Sequence, residues 1–182
     1  MLLKSLVSEM LEEMRQAVDK IDKKRIDSFK SAIKSANRVF IVGTGRSLLV
    51  GKMFAMRLMQ MGLTVYVVGD EITPAIRQGD LLIAITGSGR TQFTIYAIEA
   101  SKKRNVQIAC ITARADSPAA EMSDVVITLP TKTKYDLSGG IVPLGTIFEL
   151  SAAVFLDAIA TILKNELGVT EEEMLERHNV LE

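Results

Sequence analysis

The chain has no tryptophan, one cysteine and one histidine, and aromatic residues make up only 5% of it. A single cysteine cannot close a disulfide within one chain, so stability has to come from burial and not from covalent staples. Cys110 lies inside the apolar run Val106-Gln107-Ile108-Ala109-Cys110-Ile111 and reads as a small buried residue, not a reactive thiol. One histidine without a cysteine cluster leaves no dedicated transition-metal site. An excess of either charge is also missing: Lys+Arg and Asp+Glu both number 22. Without a basic tract to follow a phosphate backbone, nucleic acid is not an expected partner. Uninterrupted apolar runs of membrane length are absent too. The longest apolar stretch, Ile147 to Leu163, contains Glu149 and Asp157, each costing roughly 2.5–3.5 kcal/mol at a bilayer centre. It reads as a buried helix. The start, Met1-Leu2-Leu3-Lys4, lacks the apolar core and small-residue cleavage site of a secretory signal, and a cytoplasmic location is expected.

What the chain does have is a core. With 182 residues, 48% of them hydrophobic, it is one domain in size, large enough to bury about two thirds of its unfolded surface. Apolar residues recur at helical spacing from Leu2 to about Ala36, predicting two amphipathic helices joined near Asp19 to Asp22. Strands and helices then alternate. Strands are expected at Val39 to Val42, Thr64 to Val68, Asp80 to Ile85, Val106 to Thr112 and Val125 to Leu129. Between them come helices at Ser47 to Met61, near Pro74 to Gln78, at Thr91 to Arg104 and near Pro118 to Met122. A loop through Gly139-Gly140 leads to a long helix from Gly145 to about Leu167. This is an α/β pattern. The strands are continuous apolar runs, so both faces of a parallel sheet should be covered. A doubly wound, flavodoxin-like sheet of order 2-1-3-4-5 places its ligand crevice between the first and third strands.

Two glycine-rich turns fall at those positions. Gly43-Thr44-Gly45-Arg46-Ser47 follows the first strand, and Thr86-Gly87-Ser88-Gly89-Arg90-Thr91 follows the third; each opens a helix. Unpaired amides and the positive end of a helix dipole suit an anion, and the interleaved hydroxyls add donors, so the pattern points to a phosphorylated small molecule. A dinucleotide fingerprint fails because its third glycine would fall at Leu48, although Asp70 stands where a ribose contact could lie. The nucleotide P-loop also fails. Five residues separate Gly45 from Gly51-Lys52 where four are needed, and Met53 replaces the metal-binding hydroxyl. The second turn admits a blander explanation, in which Thr91 simply caps the following helix.

Glu149 sits in the first turn of the long helix, on the same side as Ala152, Ala153, Leu156, Ala160 and Leu163. A carboxylate partly desolvated on that stripe suits proton exchange. His178, in the C-terminal segment, reads on its own as an exposed terminal histidine.

Together, Gly43-Thr44-Gly45-Arg46-Ser47, Ala55-Met56-Arg57-Leu58-Met59 and Asp80 through Gly89 resemble the sugar isomerase (SIS) domain. Pro143-Leu144-Gly145-Thr146-Ile147-Phe148-Glu149 and the ending Arg177-His178-Asn179-Val180-Leu181-Glu182 are similar to motifs of its 6-phospho-3-hexuloisomerase branch. The resemblance implies a single SIS domain over 1–182, with N-terminal helices 2–36 and a tail 168–182 packing on it or on neighbouring subunits. It also implies interconversion of 3-hexulose 6-phosphate and fructose 6-phosphate through a cis-enediol, a step of the ribulose monophosphate pathway linked to formaldehyde fixation. Gly45, Arg46, Ser47, Thr86, Gly87, Ser88, Gly89 and Thr91 would hold phosphate and sugar. Glu149 would carry the carbon-bound proton, and His178 would serve the oxygens, from its own or a neighbouring subunit. Neither a metal nor a redox cofactor is implied, and the assembly would be a homotetramer. Other SIS isomerases, acting on pentose or heptose phosphates, and a non-catalytic sugar-phosphate-binding module are the alternatives.

Overall fold

The computed structural model describes residues 2–136 and 142–180. The expected Gly139-Gly140 loop and the motif positions Leu181 and Glu182 lie outside them. Two helices, α1 (Leu3–Asp19) and α2 (Lys23–Ser35), precede the alternating part of the chain. That part runs β1 (Val39–Val42), α3 (Arg46–Gln60), β2 (Val65–Val67), β3 (Leu81–Ile85), α4 (Gln92–Lys102), β4 (Gln107–Thr112), α5 (Pro118–Glu121) and β5 (Val125–Thr128). The long α6 (Thr146–Leu167) and the short α7 (Glu171–Glu176) follow.

The strands form one parallel sheet of order β2-β1-β3-β4-β5, the expected arrangement. Alternate strand residues feed two separate cores, because successive side chains leave a strand on opposite faces. Val39, Ile41, Leu81, Ile83, Ile85, Ala109 and Ile111 meet Phe29 and Ile33 of α2, Phe54 and Leu58 of α3, and Phe148, Phe155 and Leu163 of α6. Phe40, Val42, Leu82, Ala84, Ile108 and Cys110 face the other way, toward Ile98 of α4 and Ala119 of α5. Burial drives the Cys110 thiol pKa up to about 12, consistent with a packing residue. α6 is the one described helix long and apolar enough to cross a membrane, yet half of its apolar window is buried inside the protein.

One local expectation needs correction. Residues 74–78 form no helix. The segment is too short to hold a helix unaided, and its backbone is claimed by a neighbouring ion pair: Ala75 C=O accepts from Arg38 Nη2 (3.1 Å), while Arg77 N–H donates to Asp80 Oδ2 (2.9 Å). Arg38 also donates to both Asp80 oxygens, from Nε at 3.0 Å and Nη2 at 2.6 Å, and its guanidinium lies 5.1 Å from the centre of the Phe40 ring. Burial alone would raise the Asp80 pKa; hydrogen bonds from Arg38 and the Arg77 amide outweigh it and hold the carboxyl below its usual range. The tail, in turn, contains a helix. Thr170 Oγ1 accepts from Glu173 N–H (3.1 Å) and Glu173 Oε2 accepts from Thr170 N–H (2.8 Å), a capping box that nucleates α7.

Candidate functional site

Strands β1 and β3 are neighbours, so the turns after them open side by side at the carboxyl edge of the sheet. A cavity of about 290 Å³ lies there, and its walls include both turns and the start of α6. Three helices begin at it: α3 after Gly45, α4 after Thr91 and α6 after Gly145. None has a side-chain cap. By contrast Asp22, Ser117 and Thr170 cap α2, α5 and α7. Helix starts without side-chain caps, with three dipoles converging, make this corner of the fold favourable to an anion.

The second turn is held from behind. Gly87 C=O accepts from Ala113 N–H (3.0 Å) and Thr112 Oγ1 (3.3 Å), and Gly89 C=O accepts from Ala119 N–H (3.1 Å). These bonds draw the carbonyls toward β4 and α5, while Thr86, Gly87, Ser88 and Thr91 line the cavity. Thr91 stands at the N-cap position without capping α4; its hydroxyl lies 3.5 Å from that of Thr86 instead. The bland capping explanation therefore does not account for it. A Cβ on Gly87 would come within 3.0 Å of the Phe148 ring, so the absent side chain lets α6 approach the turn. Gly89 departs from expectation: it lies behind the cavity and not on its wall. Its φ of +64° and the 2.0 Å that would separate an added Cβ from Ser117 Oγ show a residue that shapes the turn from the rear. Arg90 likewise turns away, into a separate hollow with Tyr96 and Glu99.

Glu149 reaches the cavity from the first turn of α6 with its side chain 14% exposed, and Arg46 Nε lies 2.8 Å from its Oε2. The stripe beneath it is apolar as expected, with Ala152, Leu156, Ala160 and Leu163 buried. The carboxylate, though, is paired and not isolated. Arg46 is 60% exposed and can swing out into solvent or toward a ligand. Gly45 and Ser47 also line the cavity. His178 does not. It follows α7, where Arg177 Nη1 donates to Gln60 C=O (3.2 Å) at the far end of α3 from Arg46. That places His178 roughly 20 Å from the cavity along the α3 axis, beyond reach of Glu149 in the same chain.

Thr133, Lys134, Leu144 and Phe148 also line the wall, and sequence reasoning did not name them among the site residues. One signal was available. The connection from β5 to α6 spans residues 129–145, longer than most in compact domains, and such connections are usually functional.

Residues 32–155 match the family model described as the SIS domain. The chain is 42% identical over 158 residues to the 3-hexulose-6-phosphate isomerase of Methylomonas aminofaciens, covering 86% of this chain and 87% of that protein. It is 38% identical over 178 residues to the enzyme of the same name from Mycobacterium gastri, covering 97% and 89% respectively. The crystal structure of a Methanococcus jannaschii protein, whose authors inferred a 3-hexulose-6-phosphate isomerase function, superposes with a TM-score of 0.85 at 34% identity over 98% of both chains.

Proposed function

Because the chain belongs to the SIS domain family, we propose that it interconverts D-arabino-3-hexulose 6-phosphate and D-fructose 6-phosphate, within the ribulose monophosphate pathway and downstream of formaldehyde fixation. The observation that carries this reading is one cavity joining three uncapped helix starts, a hydroxyl-rich turn and a carboxylate. Thr86, Ser88 and Thr91, with backbone amides of the uncapped helix starts, hold the phosphate. Ser47 and Arg46 face the sugar oxygens. Anchoring the non-reacting phosphate orients a small flexible sugar against Glu149. Glu149 removes the proton from C2 of the hexulose, giving a cis-enediolate across C2 and C3, and returns it to C3; the hydroxyl proton passes from O2 to O3, leaving the carbonyl at C2. No cofactor enters this scheme. Arg46, paired with Glu149 in the free protein, is exposed enough to turn toward the substrate oxygens, which leaves the Glu149 carboxylate facing the reacting carbons.

The decisive assay supplies formaldehyde, ribulose 5-phosphate and a hexulose phosphate synthase upstream and measures fructose 6-phosphate. Failure to form it, with conversion of a pentose or heptose phosphate instead, would replace this substrate assignment. A finer test addresses the turn: Ser88→Ala and Thr91→Val should each raise KM about tenfold or more by removing a charge-assisted hydrogen bond to the phosphate, with kcat nearly unchanged. Because Thr91 does not cap α4, Thr91→Val should also leave Tm within about 2 °C. A lowered kcat at constant KM would place these hydroxyls at the reacting carbons instead.

In this scheme the working form is a cytoplasmic homotetramer in which His178 of one subunit serves the sugar oxygens of another. Its distance from its own cavity supports that placement, as do the apolar residues exposed along α1 (Leu3, Val7, Leu11) and α3 (Leu49, Met53, Met56). Mixing Glu149→Gln with His178→Ala subunits after dissociation should restore activity above either parent, since some sites then receive both groups. No restoration in verified mixed oligomers would confine His178 to a role outside the site.

A further inference from the structure

Thr133 and Lys134, which follow β5, also line the cavity, and their placement is tightly held. Asp136 N–H donates to Thr133 C=O (3.0 Å), while Asp136 Oδ2 accepts from both the Thr133 amide (2.7 Å) and its hydroxyl (2.9 Å). Arg114 Nη2 grips the same carboxylate, 2.6 Å from Oδ1. Hydrogen bonds from Thr133, aided by Arg114, hold the Asp136 carboxyl below its usual range, so the clamp stays ionised at neutral pH. Arg114 is in turn tied to the phosphate turn: its N–H donates to Thr112 Oγ1 (3.2 Å), which donates to Gly87 C=O (3.3 Å). One connected set of bonds thus sets both walls. Gly145 completes it, since its Cα face lies against the Lys134 amide and the Thr133 backbone, joining this turn to the start of α6.

Charge then singles out one residue. Three ionic side chains line the cavity: Arg46, Glu149 and Lys134. The first two are paired with each other. Lys134 has no carboxylate partner among the described residues; its ammonium rests 5.2 Å from the centre of the Tyr135 ring, itself 62% exposed, an arrangement that little opposes reorientation. The cavity's net charge is therefore that of Lys134.

We propose that Lys134 is a substrate-binding residue, the cation that meets the dianionic phosphate held by the Ser88 turn, and that Arg114 and Asp136 are positioning residues that deliver it there. This rests on the reading of the cavity as a sugar-phosphate site. Lysine suits the task because a compact point charge on a flexible stem can follow the phosphate as the sugar enters.

The test uses the full-length assembled enzyme, with hexulose phosphate as substrate and inorganic phosphate as a second probe whose binding is read by calorimetry. Lys134→Met should raise KM and weaken inorganic phosphate binding by about tenfold or more, with kcat within about threefold and Tm unchanged. It should also flatten the rise of KM with salt. Lys134→Arg should recover most of the affinity. Asp136→Asn should reproduce the KM effect in part while sparing kcat, a split that mere loosening of the fold would not give. Unchanged KM and phosphate affinity in Lys134→Met overturn the proposal. If Ser88→Ala weakens phosphate binding and Lys134→Met does not, the lysine assignment alone fails; if neither does, the sugar-phosphate reading of the cavity fails with it.

Discussion

Glu149→Gln should lower kcat by a factor of about 10² to 10⁴, the usual contribution of a positioned general base, while KM stays within a few-fold of the parent value. The substitution isolates proton transfer for structural reasons. Glutamine keeps the length and planarity of the side chain, and its carbonyl oxygen can still accept from Arg46 Nε, now 2.8 Å from the carboxylate. The cavity wall stays assembled, and the glycine turn after β3, fixed by β4 and α5, is untouched. Stability should barely change, because Arg46 is mostly solvated and such pairs contribute only about 0–1 kcal/mol. Glu149→Asp withdraws the carboxylate by one methylene and should fall between the parent and the glutamine variant, since base and carbon no longer meet at hydrogen-bonding distance. Steady-state kinetics with hexulose phosphate decide the matter. A Glu149→Gln enzyme that keeps more than a tenth of parental turnover removes this carboxylate from the proton path.

Much of the cavity wall could be read in advance because its parts are local in sequence. Each glycine turn is a short contiguous segment between an apolar run and a helix, and the rule for open α/β sheets converts their positions after β1 and β3 into proximity. What escaped notice depends on contacts between distant segments. Arg46 and Glu149 are 103 positions apart, and nothing in either neighbourhood announces their pairing. Thr133 and Lys134 follow β5, an edge strand two places from β3, so strand order alone puts them far from the crevice, yet both line the cavity. Gly89 misled for the opposite reason. It lies inside the glycine turn that lines the cavity, yet its positive φ and the closeness of Ser117 show it shaping that turn from the rear. In residues 74–78, periodicity suggested a helix while the Arg38–Asp80 pair, 42 positions apart, took the backbone groups a helix would have needed.

That same ion pair supports the largest stability effect expected in the molecule. Asp80 is 0% exposed in its side chain and Arg38 16%, where β1 and β3 begin. Removing one partner leaves a desolvated charge, which typically costs about 3–5 kcal/mol, or about 6–20 °C in Tm for a chain of this size. The two single substitutions should not be equal. After Asp80→Ala, Arg38 can still reach water and keeps its stacking on Phe40. After Arg38→Met, the Asp80 carboxylate has no route to solvent and retains only the Arg77 amide, so this variant should be the less stable at neutral pH. Acid separates them further. In the parent the folded-state Asp80 pKa is depressed, so its contribution is present above the unfolded value of 3.8 and is lost as pH falls through the folded value. In Arg38→Met the burial penalty is no longer offset by the guanidinium, protonation relieves the orphaned charge, and the deficit relative to the parent should shrink as pH drops toward 4. Replacing both residues, Arg38→Met with Asp80→Leu, should recover most of the loss, since an apolar pair of similar volume removes both desolvation costs. Thermal unfolding of the four proteins at pH 7 and pH 4 tests this. A deficit in Arg38→Met that is independent of pH, or a double variant as unstable as the worse single one, would show that packing and not charge holds this edge of the sheet.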